Sequence, residues 1–192
     1  MKKALMIVSV LFVAVVSTAC INNIAVQELN NKAAEFMQKG DYEAAINRLE
    51  SSLDLDSSMY QTYYNLGIAS INAKKYEKAI DAFEGGIKIK PDHADFYYSL
   101  GVAQIELADE ISEKAEESEK QETKNDEDNS DEPVIVTKED LAKTITLKQS
   151  AITNLNKYLE MVPDTKDKET IEEMIKQSEE FISGDKKEES QE

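Results

Sequence analysis

Few side chains in this sequence have the types and spacing that catalysis or metal binding requires. His93 is the single histidine, so a nucleophile activated by an imidazole base would have to use it. It follows Pro91 and Asp92 in a predicted turn, where a histidine more often has a structural role than a catalytic one. No glycine-rich phosphate loop and no Cys/His metal spacing is present, and 39 acidic residues make any one carboxylate pair uninformative. We therefore expect a non-enzymatic protein with no catalytic residue, metal or cofactor.

The charge of the chain limits its partners. The formal net charge is -17, and no Lys- or Arg-rich cluster stands out. Nucleic acid is bound through basic surfaces that displace counterions, so it is not an expected partner. Three prolines and six glycines in 192 residues favour long helices over a loop-rich fold.

Cys20, the single cysteine, follows a characteristic N-terminal pattern. A basic start at residues 1–3 precedes an apolar run from Ala4 to Val16, broken only by Ser9, and then the small residues 17–19. This order is typical of a secretory signal peptide, and a run of thirteen residues is too short for a mature transmembrane helix.

A cysteine directly after such small residues resembles the lipobox of bacterial lipoproteins. The resemblance implies a signal peptide over 1–19, a Cys20 thiol carrying acyl chains such as palmitate, and a short tether over 20–25. It also implies anchoring in the bacterial cell envelope, with Ile21 in place of Asp favouring the outer membrane over the inner. Ser17 departs from the Leu that the family prefers at that position. The alternative is an ordinary cleaved signal peptide, which would leave Cys20 a free thiol.

Two stretches of the chain repeat each other at a distance of thirty-four residues. Tyr63–Ala69 is echoed by Tyr97–Ala103, and Tyr42, Ala45, Ile46 and Leu49 recur as Tyr76, Ala79, Ile80 and Phe83. A fixed period in this range indicates stacked helical repeats that bury their apolar faces against one another.

The repeats resemble the tetratricopeptide repeat (TPR), a pair of antiparallel helices A and B. Residues 60–93 match best, at Tyr63, Leu66, Gly67, Tyr76, Ala79, Phe83 and Pro91. Unit 1 covers 26–59, with Ala33 in place of the packing glycine. The resemblance places units 1 and 2 and helix A of unit 3 in 26–108. It places helix B of unit 3 in 138–163, where the helix B pattern is matched by Ala151, Ile152, Leu155, Leu159 and Pro163. The predicted fold is all-α: a helical-repeat solenoid of three TPR-like pairs, the third interrupted, with a C-terminal capping helix.

The interruption is strongly acidic. Within 109–132, twelve acidic residues and three lysines give a net charge of -9. We expect residues 109–137 to be a solvated and partly disordered insertion, whose first part, to about residue 120, is compatible with a continued helix A. A regulatory or cation-attracting role is the alternative.

A capping helix is predicted over 164–183, from an apolar stripe at Ile171, Met174, Ile175, Ser178, Phe181 and Ile182. Gly184 is expected to end it, leaving 184–192 as a charged tail.

The TPR resemblance also implies a concave binding surface. It is lined by positions 2, 5, 9, 12 and 13 of each unit, counted from residues 26, 60 and 94, and we call these the groove positions. They place an apolar patch at Tyr64, Ile68, Ile71, Tyr98, Val102 and Ile105. Because Tyr64 and Tyr98 are equivalent, we expect their rings to lie side by side. Alternatively, the insertion or the capping helix folds back and buries the patch.

The function expected from these residues is a membrane-anchored interaction or scaffold module that binds a protein or peptide, or another copy of itself. TPR domains that clamp a peptide carboxylate need Lys, Asn and Arg at set positions, and only Asn65 fits; Asn30, Ala34, Asp95 and Tyr98 do not. The alternative is an accessory component of solute transport that holds a hydrophobic small molecule under the two tyrosines. An enclosed cavity would favour the ligand, and an open groove would favour a protein partner.

The lipid anchor can be tested at Cys20. We expect Cys20→Ser to move the protein from the membrane fraction to the soluble envelope fraction, because the acyl chains supply its membrane affinity. Fractionation with immunoblotting, together with uptake of labelled fatty acid by the native protein, measures this. A serine variant that still sediments with membranes, and a native chain that takes up no fatty acid, would exclude the anchor.

Overall fold

The structure is a computed structural model that describes residues 24–122 and 138–188. Cys20, the remainder of residues 1–23, and residues 123–137 and 189–192 lie outside this range, so the signal peptide and Cys20 stay predictions. The described residues form helices joined by short turns, without strands: α1 (24–38), α2 (Tyr42–Leu55), α3 (Tyr60–Asn72), α4 (Tyr76–Ile89), α5 (Ala94–Glu122), α6 (Lys138–Met161) and α7 (Lys168–Glu188). None of these helices is long and apolar enough to cross a membrane.

Successive helices pack against each other along the chain. From α2 to α7 each helix contacts the next, and α3 also contacts α5. Helix α1 joins α2 through a hydrogen bond of 2.8 Å that Asn30 Nδ2 donates to Ser52 Oγ. The helices therefore form the pairs α1–α2, α3–α4 and α5–α6, followed by α7. This arrangement confirms the predicted all-α solenoid of TPR-like pairs with a C-terminal helix.

Helices A and B of a unit meet at a small residue. A Cβ atom added to Gly67 of α3 would lie 2.3 Å from the ring of Phe83, which is fully buried in α4. A Cβ atom added to Gly101 of α5 would lie 2.8 Å from Leu155 Cγ of α6. Leu155 therefore packs on Gly101 as Phe83 packs on Gly67, although it follows much later in the chain. This contact places α6 as helix B of the third unit.

The turn between helices A and B differs in the third unit. Gly40 (φ 75°) and Lys74 (φ 57°) both adopt the left-handed conformation that ends a helix. The next backbone N–H donates back across the turn in each case, from Asp41 to Phe36 O (3.0 Å) and from Lys75 to Ser70 O (2.8 Å). The equivalent position thirty-four residues later is Ala108, where α5 continues as a helix with this residue fully buried. The interruption thus begins where the left-handed turn would be.

Helices α5 and α6 pack together beyond residue 109, where the acidic insertion was predicted to start. Helix α5 continues unbroken to Glu122, and α6 is long enough to run back beside it. Lys148 of α6 is only 6% exposed, and its Nζ lies 2.6 Å from Asp109 Oδ1. Asn154 Nδ2 donates a hydrogen bond of 2.9 Å to the buried Gln104 Oε1. The acidic composition of the segment did not predict this pairing, because the lysine that compensates the charge of Asp109 lies on α6.

The boundaries of α7 also differ from the prediction. The helix begins at Lys168 rather than 164 and runs to Glu188, past Gly184. A glycine ends a helix when it adopts a left-handed conformation, whereas Gly184 stays helical in open surroundings. The predicted stripe faces inward, with Ile171, Ser178 and Ile182 buried. Phe181 lies under Lys148 Nζ, 4.9 Å from the ring centroid, and so links α7 to the α5–α6 pair.

The N-terminal boundary of the solenoid needs one correction. Residues 24 and 25, which the sequence assigned to the tether, are already helical. Ile24 is 67% exposed, whereas Val26 is fully buried. The helical conformation thus extends beyond the packed part of α1, because a helix can continue for a turn without burying its side chains.

The glycine contact predicts a graded loss of stability. We expect Gly67→Ala to lower the free energy of unfolding by about 1–3 kcal/mol, because the new methyl group overlaps a ring that has no space to move. Gly101→Ala should cost less, since its added Cβ would lie 2.8 Å from Leu155 Cγ, against 2.3 Å from the Phe83 ring for Gly67. Gly184→Ala is the control: its Cβ meets nothing within 4 Å, so it should be neutral or stabilising. Urea unfolding measures all three, and equal values for Gly67→Ala and Gly184→Ala would contradict the packing.

Candidate functional site

Helices α3 and α5 each have a buried face and a partly exposed face. On α3, Leu66, Gly67, Ala69 and Ser70 are buried, and the equivalent residues of α5 are Leu100, Gly101, Ala103 and Gln104. The six predicted patch residues are partly exposed: Tyr64, Ile68 and Ile71 on α3, and Tyr98, Val102 and Ile105 on α5. In both helices they follow the spacing i, i+4, i+7, which places three side chains on one face. We call these two rows the groove stripes.

Tyr64 is held in a cluster of rings. Its ring centroid lies 5.4 Å from that of Phe96, 6.0 Å from that of Phe83 and 6.0 Å from that of His93. Tyr60 completes this aromatic cluster at 5.4 Å from His93. Aromatic contacts of this kind add to the free energy of burial and fix the ring positions. Tyr64 therefore presents a positioned ring to the groove.

His93 has a packing role in this cluster. Its ring also lies 5.4 Å from Phe96, and its Nδ1 is 3.9 Å from Asp95 Oδ2. Sequence reasoning placed His93 in a turn but missed its ring neighbours. Phe96 occupies the position of Thr62 in unit 2, so the repeat pattern contained no signal for the cluster.

Tyr98 has a different environment from Tyr64. Its ring lies 5.3 Å from that of Tyr158 in α6, and no ring contact in the described residues joins Tyr64 to Tyr98. The charge of Tyr64 nevertheless contributes to the raised pKa of Tyr98, so the two phenols lie near each other, and the expectation that their rings lie side by side stays a prediction. Tyr158 occupies in unit 3 the position that Gly86 has in unit 2, where a Cβ atom would lie 2.1 Å from Phe96. Tyr98 therefore packs against the ring of Tyr158, whereas Tyr64 packs against the ring of Phe96.

Two further stripe residues pack against the buried core. Ile68 and Ile71, like Tyr64, pack from outside onto the buried cluster that includes Phe96 and Leu100. Helix α7 packs against α6 and does not lie over α3. The capping helix therefore does not fill the groove between the stripes.

Carboxylates lie at both ends of the α5 stripe. Asp95 is exposed in the first turn of α5, and Glu106 follows directly after Ile105. Tyr76 donates a hydrogen bond of 3.1 Å from its hydroxyl to Glu106 Oε2. Burial raises the pKa of Tyr76, with further contributions from the bond to Glu106 and the charges of Glu106, Glu110 and Glu113. Burial also raises the pKa of Tyr98, and the charge of Asp167 adds to this.

A separate cavity lies outside the groove. It has a volume of about 440 Å³ and is open to solvent, and it is lined by Tyr97, Thr153, Asn154, Asn156, Lys157 and Glu160. The lining includes neither Tyr64 nor Tyr98. The described residues also contain no group of three His, Cys, Asp or Glu side chains placed to hold a metal ion.

Known proteins share this arrangement of helices. Residues 36–105 match the tetratricopeptide repeat family. The TPR match covers α2, α3, α4 and most of the first half of α5, that is, the groove stripes and the aromatic cluster. No curated protein matches the chain.

Solved TPR structures resemble the whole solenoid. The first TPR of Spaghetti (RPAP3), bound to the HSP90 peptide SRMEEVD, has a TM-score of 0.56 at 13% identity, covering 82% of this chain and 93% of that one. The TPR domain of Arabidopsis OM64 has a TM-score of 0.55 at 14% identity, covering 82% and 96%. The TPR2B domain of yeast Sti1, in complex with pHsp70, has a TM-score of 0.50 at 16% identity, covering 82% and 98%. At these identities the likeness establishes the fold.

The two raised tyrosine pKa values predict a loss of stability at high pH. In the unfolded chain both phenols lose their protons near the ordinary pKa of 10, whereas in the folded chain they keep them to higher pH. The folded state then binds more protons, so the free energy of unfolding should fall as the pH rises above 10.

The test is a titration of the phenolate absorbance of the native protein, with the urea-unfolded chain as reference. We expect two tyrosines to titrate later in the folded state, and the double variant Tyr76→Phe/Tyr98→Phe to lose both late transitions. Late transitions that persist in the double variant would contradict the assignment.

Proposed function

We propose that this protein is a non-catalytic interaction module whose groove stripes bind a segment of a protein partner. The observation that carries the proposal is the pair of matched apolar rows on α3 and α5, which stay partly exposed at the same repeat positions. A contiguous apolar surface of this kind typically marks a binding site. TPR folds host many tasks, so the site itself, rather than the fold, supports this function.

The tyrosines supply the anchoring side chains of the groove. Binding hot spots are enriched in aromatic residues that are positioned before the partner arrives. Tyr64 is held by Phe83, Phe96 and His93, and Tyr98 is held by Tyr158. Little side-chain entropy is then lost on binding, which favours affinity from a small surface.

Similar folds give this proposal a precedent. The Spaghetti TPR structure contains an HSP90 peptide, and the yeast Sti1 domain is in complex with pHsp70. These are partners of those proteins. What we extend to this chain is the mode of binding, in which the solenoid holds a polypeptide segment.

Membrane anchoring through Cys20 is the second part of the proposal. The apolar run and the small residues before Cys20 support it, together with the resemblance to bacterial lipoproteins. One acyl chain binds a membrane only marginally, at about 0.8 kcal/mol per buried methylene, so stable anchoring needs more than one chain. The groove would then act at the surface of a bacterial envelope membrane, with the outer membrane favoured.

A protein partner is favoured over a hydrophobic small ligand. The ligand alternative requires an enclosed apolar cavity under Tyr64 and Tyr98. The cavity of about 440 Å³ instead lies beside Tyr97 and α6 and is open to solvent. The stripe residues are partly exposed along two helices, which suits a polypeptide.

Site-specific photocrosslinking in the native cell tests the binding surface. A photoreactive benzoylphenylalanine at position 71 or 102 places the probe in the groove stripes. The same residue at position 81 or 84, both exposed on α4, is the control. We expect discrete protein adducts from positions 71 and 102 and none of these adducts from 81 and 84. The absence of adducts at the groove positions, or equal adducts at all four, would overturn the proposal.

A further inference from the structure

We propose that the partner segment is basic at both ends: an apolar centre flanked by Lys or Arg residues, carried by a different polypeptide. This inference rests on the proposed function and names the chemistry of the partner. It follows from the placement of charge around the groove stripes.

The groove positions carry charge of one sign. Among the fifteen groove positions, the charged residues are Asp95 and Glu106, and none is Lys or Arg. Both carboxylate side chains belong to exposed residues of α5. A partner with apolar side chains can use the stripes, but its flanking residues meet negative charge.

The spacing of the two carboxylates is defined by the helix. Asp95 and Glu106 are eleven residues apart, so they lie about 16 Å apart along α5 at 1.5 Å per residue. Eleven residues make just over three full turns, so both carboxylates lie on the side of α5 that carries Tyr98, Val102 and Ile105. An extended peptide spans this distance with about five residues.

Neighbouring residues strengthen both negative ends. The charge of Asp167 acts on Tyr98 beside the Asp95 end, and Glu113 acts with Glu106 on Tyr76 at the other end. The nearby lysines already pair with carboxylates: Lys90 with Asp92, Lys114 with Glu110, and Lys143 with Glu77. Both ends of the stripe therefore stay negative.

The charge of the whole chain argues for a different polypeptide as the partner. A second copy carries the same net charge of -17, so its surface would be repelled from these carboxylates. An acidic segment such as SRMEEVD, the HSP90 peptide of the Spaghetti structure, meets the same repulsion. Complementary charge instead attracts a basic segment and fixes its register along the groove.

Three labelled peptides with the same five-residue apolar centre test the inference on the full-length protein. They carry two Lys, two Ser or two Glu residues at each end, and fluorescence anisotropy measures their affinities at low and high salt. We expect the Lys peptide to bind at least tenfold more tightly than the Ser peptide and the Glu peptide to bind most weakly. Screening should reduce this difference at high salt. Equal affinities for the three peptides would overturn the inference.

Two charge variants locate the effect. Asp95→Asn/Glu106→Gln should reduce the affinity of the Lys peptide at least fivefold and leave that of the Ser peptide nearly unchanged. The matched control Asp81→Asn/Glu84→Gln makes the same change in net charge on α4, away from the groove, and should leave the Lys peptide unaffected. Equal losses from the two double variants would show attraction by the whole acidic chain and overturn the inference.

A third variant separates this inference from the proposed function. Ile71→Ser/Val102→Ser should weaken all three peptides together, because it removes the shared apolar contacts. If that loss occurs but the three peptides bind equally, the groove function stands and the basic partner is wrong. If no peptide binds, the basic partner is wrong, and the crosslinks at positions 71 and 102 decide the groove function independently.

Discussion

The close approach of helix A to helix B within each unit is the constraint on which this structure depends. Gly67 leaves no space for even a methyl group against the ring of Phe83, and Gly101 has the same relation to Leu155. This contact sets the distance and orientation of each helix pair. The pairs in turn set the relation of α3 to α5, whose outward faces form the groove stripes. The groove stripes, which come from two helices, therefore depend on the buried contacts of Gly67 and Gly101.

The same contact explains how the third unit tolerates its interruption. Leu155 reaches Gly101 although a long segment lies between them, because closing a longer loop adds little entropy cost. The extended parts of α5 and α6 add contacts of their own, since Lys148 pairs with Asp109 and Asn154 with Gln104. A buried lysine is costly unless it is paired, so this ion pair also specifies the register of the long hairpin. Phe181 covers the same lysine and attaches α7.

The groove combines rigidity with a one-sided charge. Tyr64 and Tyr98 are both fixed by aromatic neighbours, but the neighbours differ because Tyr158 replaces Gly86 in the third unit. The repeat therefore conserves the position of the anchoring ring without conserving its contacts. Asp95 and Glu106 occur only in unit 3, so the negative ends belong to one helix rather than to the repeat. Such differences between units let a symmetric solenoid bind an asymmetric segment.

The sequence by itself determined the fold, because the thirty-four-residue period and the small residues at Gly67 and Gly101 report contacts that recur in every unit. It also indicated the six stripe residues, since their positions follow from the period. Tertiary structure alone decided the features that occur once. The ring neighbours of His93, the burial of Lys148 and the packing of α5 against α6 each depend on residues distant in the chain. A local pattern carries no record of such partners, so composition allowed α5 to continue past Asp109 but did not predict that the buried Lys148 of α6 pairs with it.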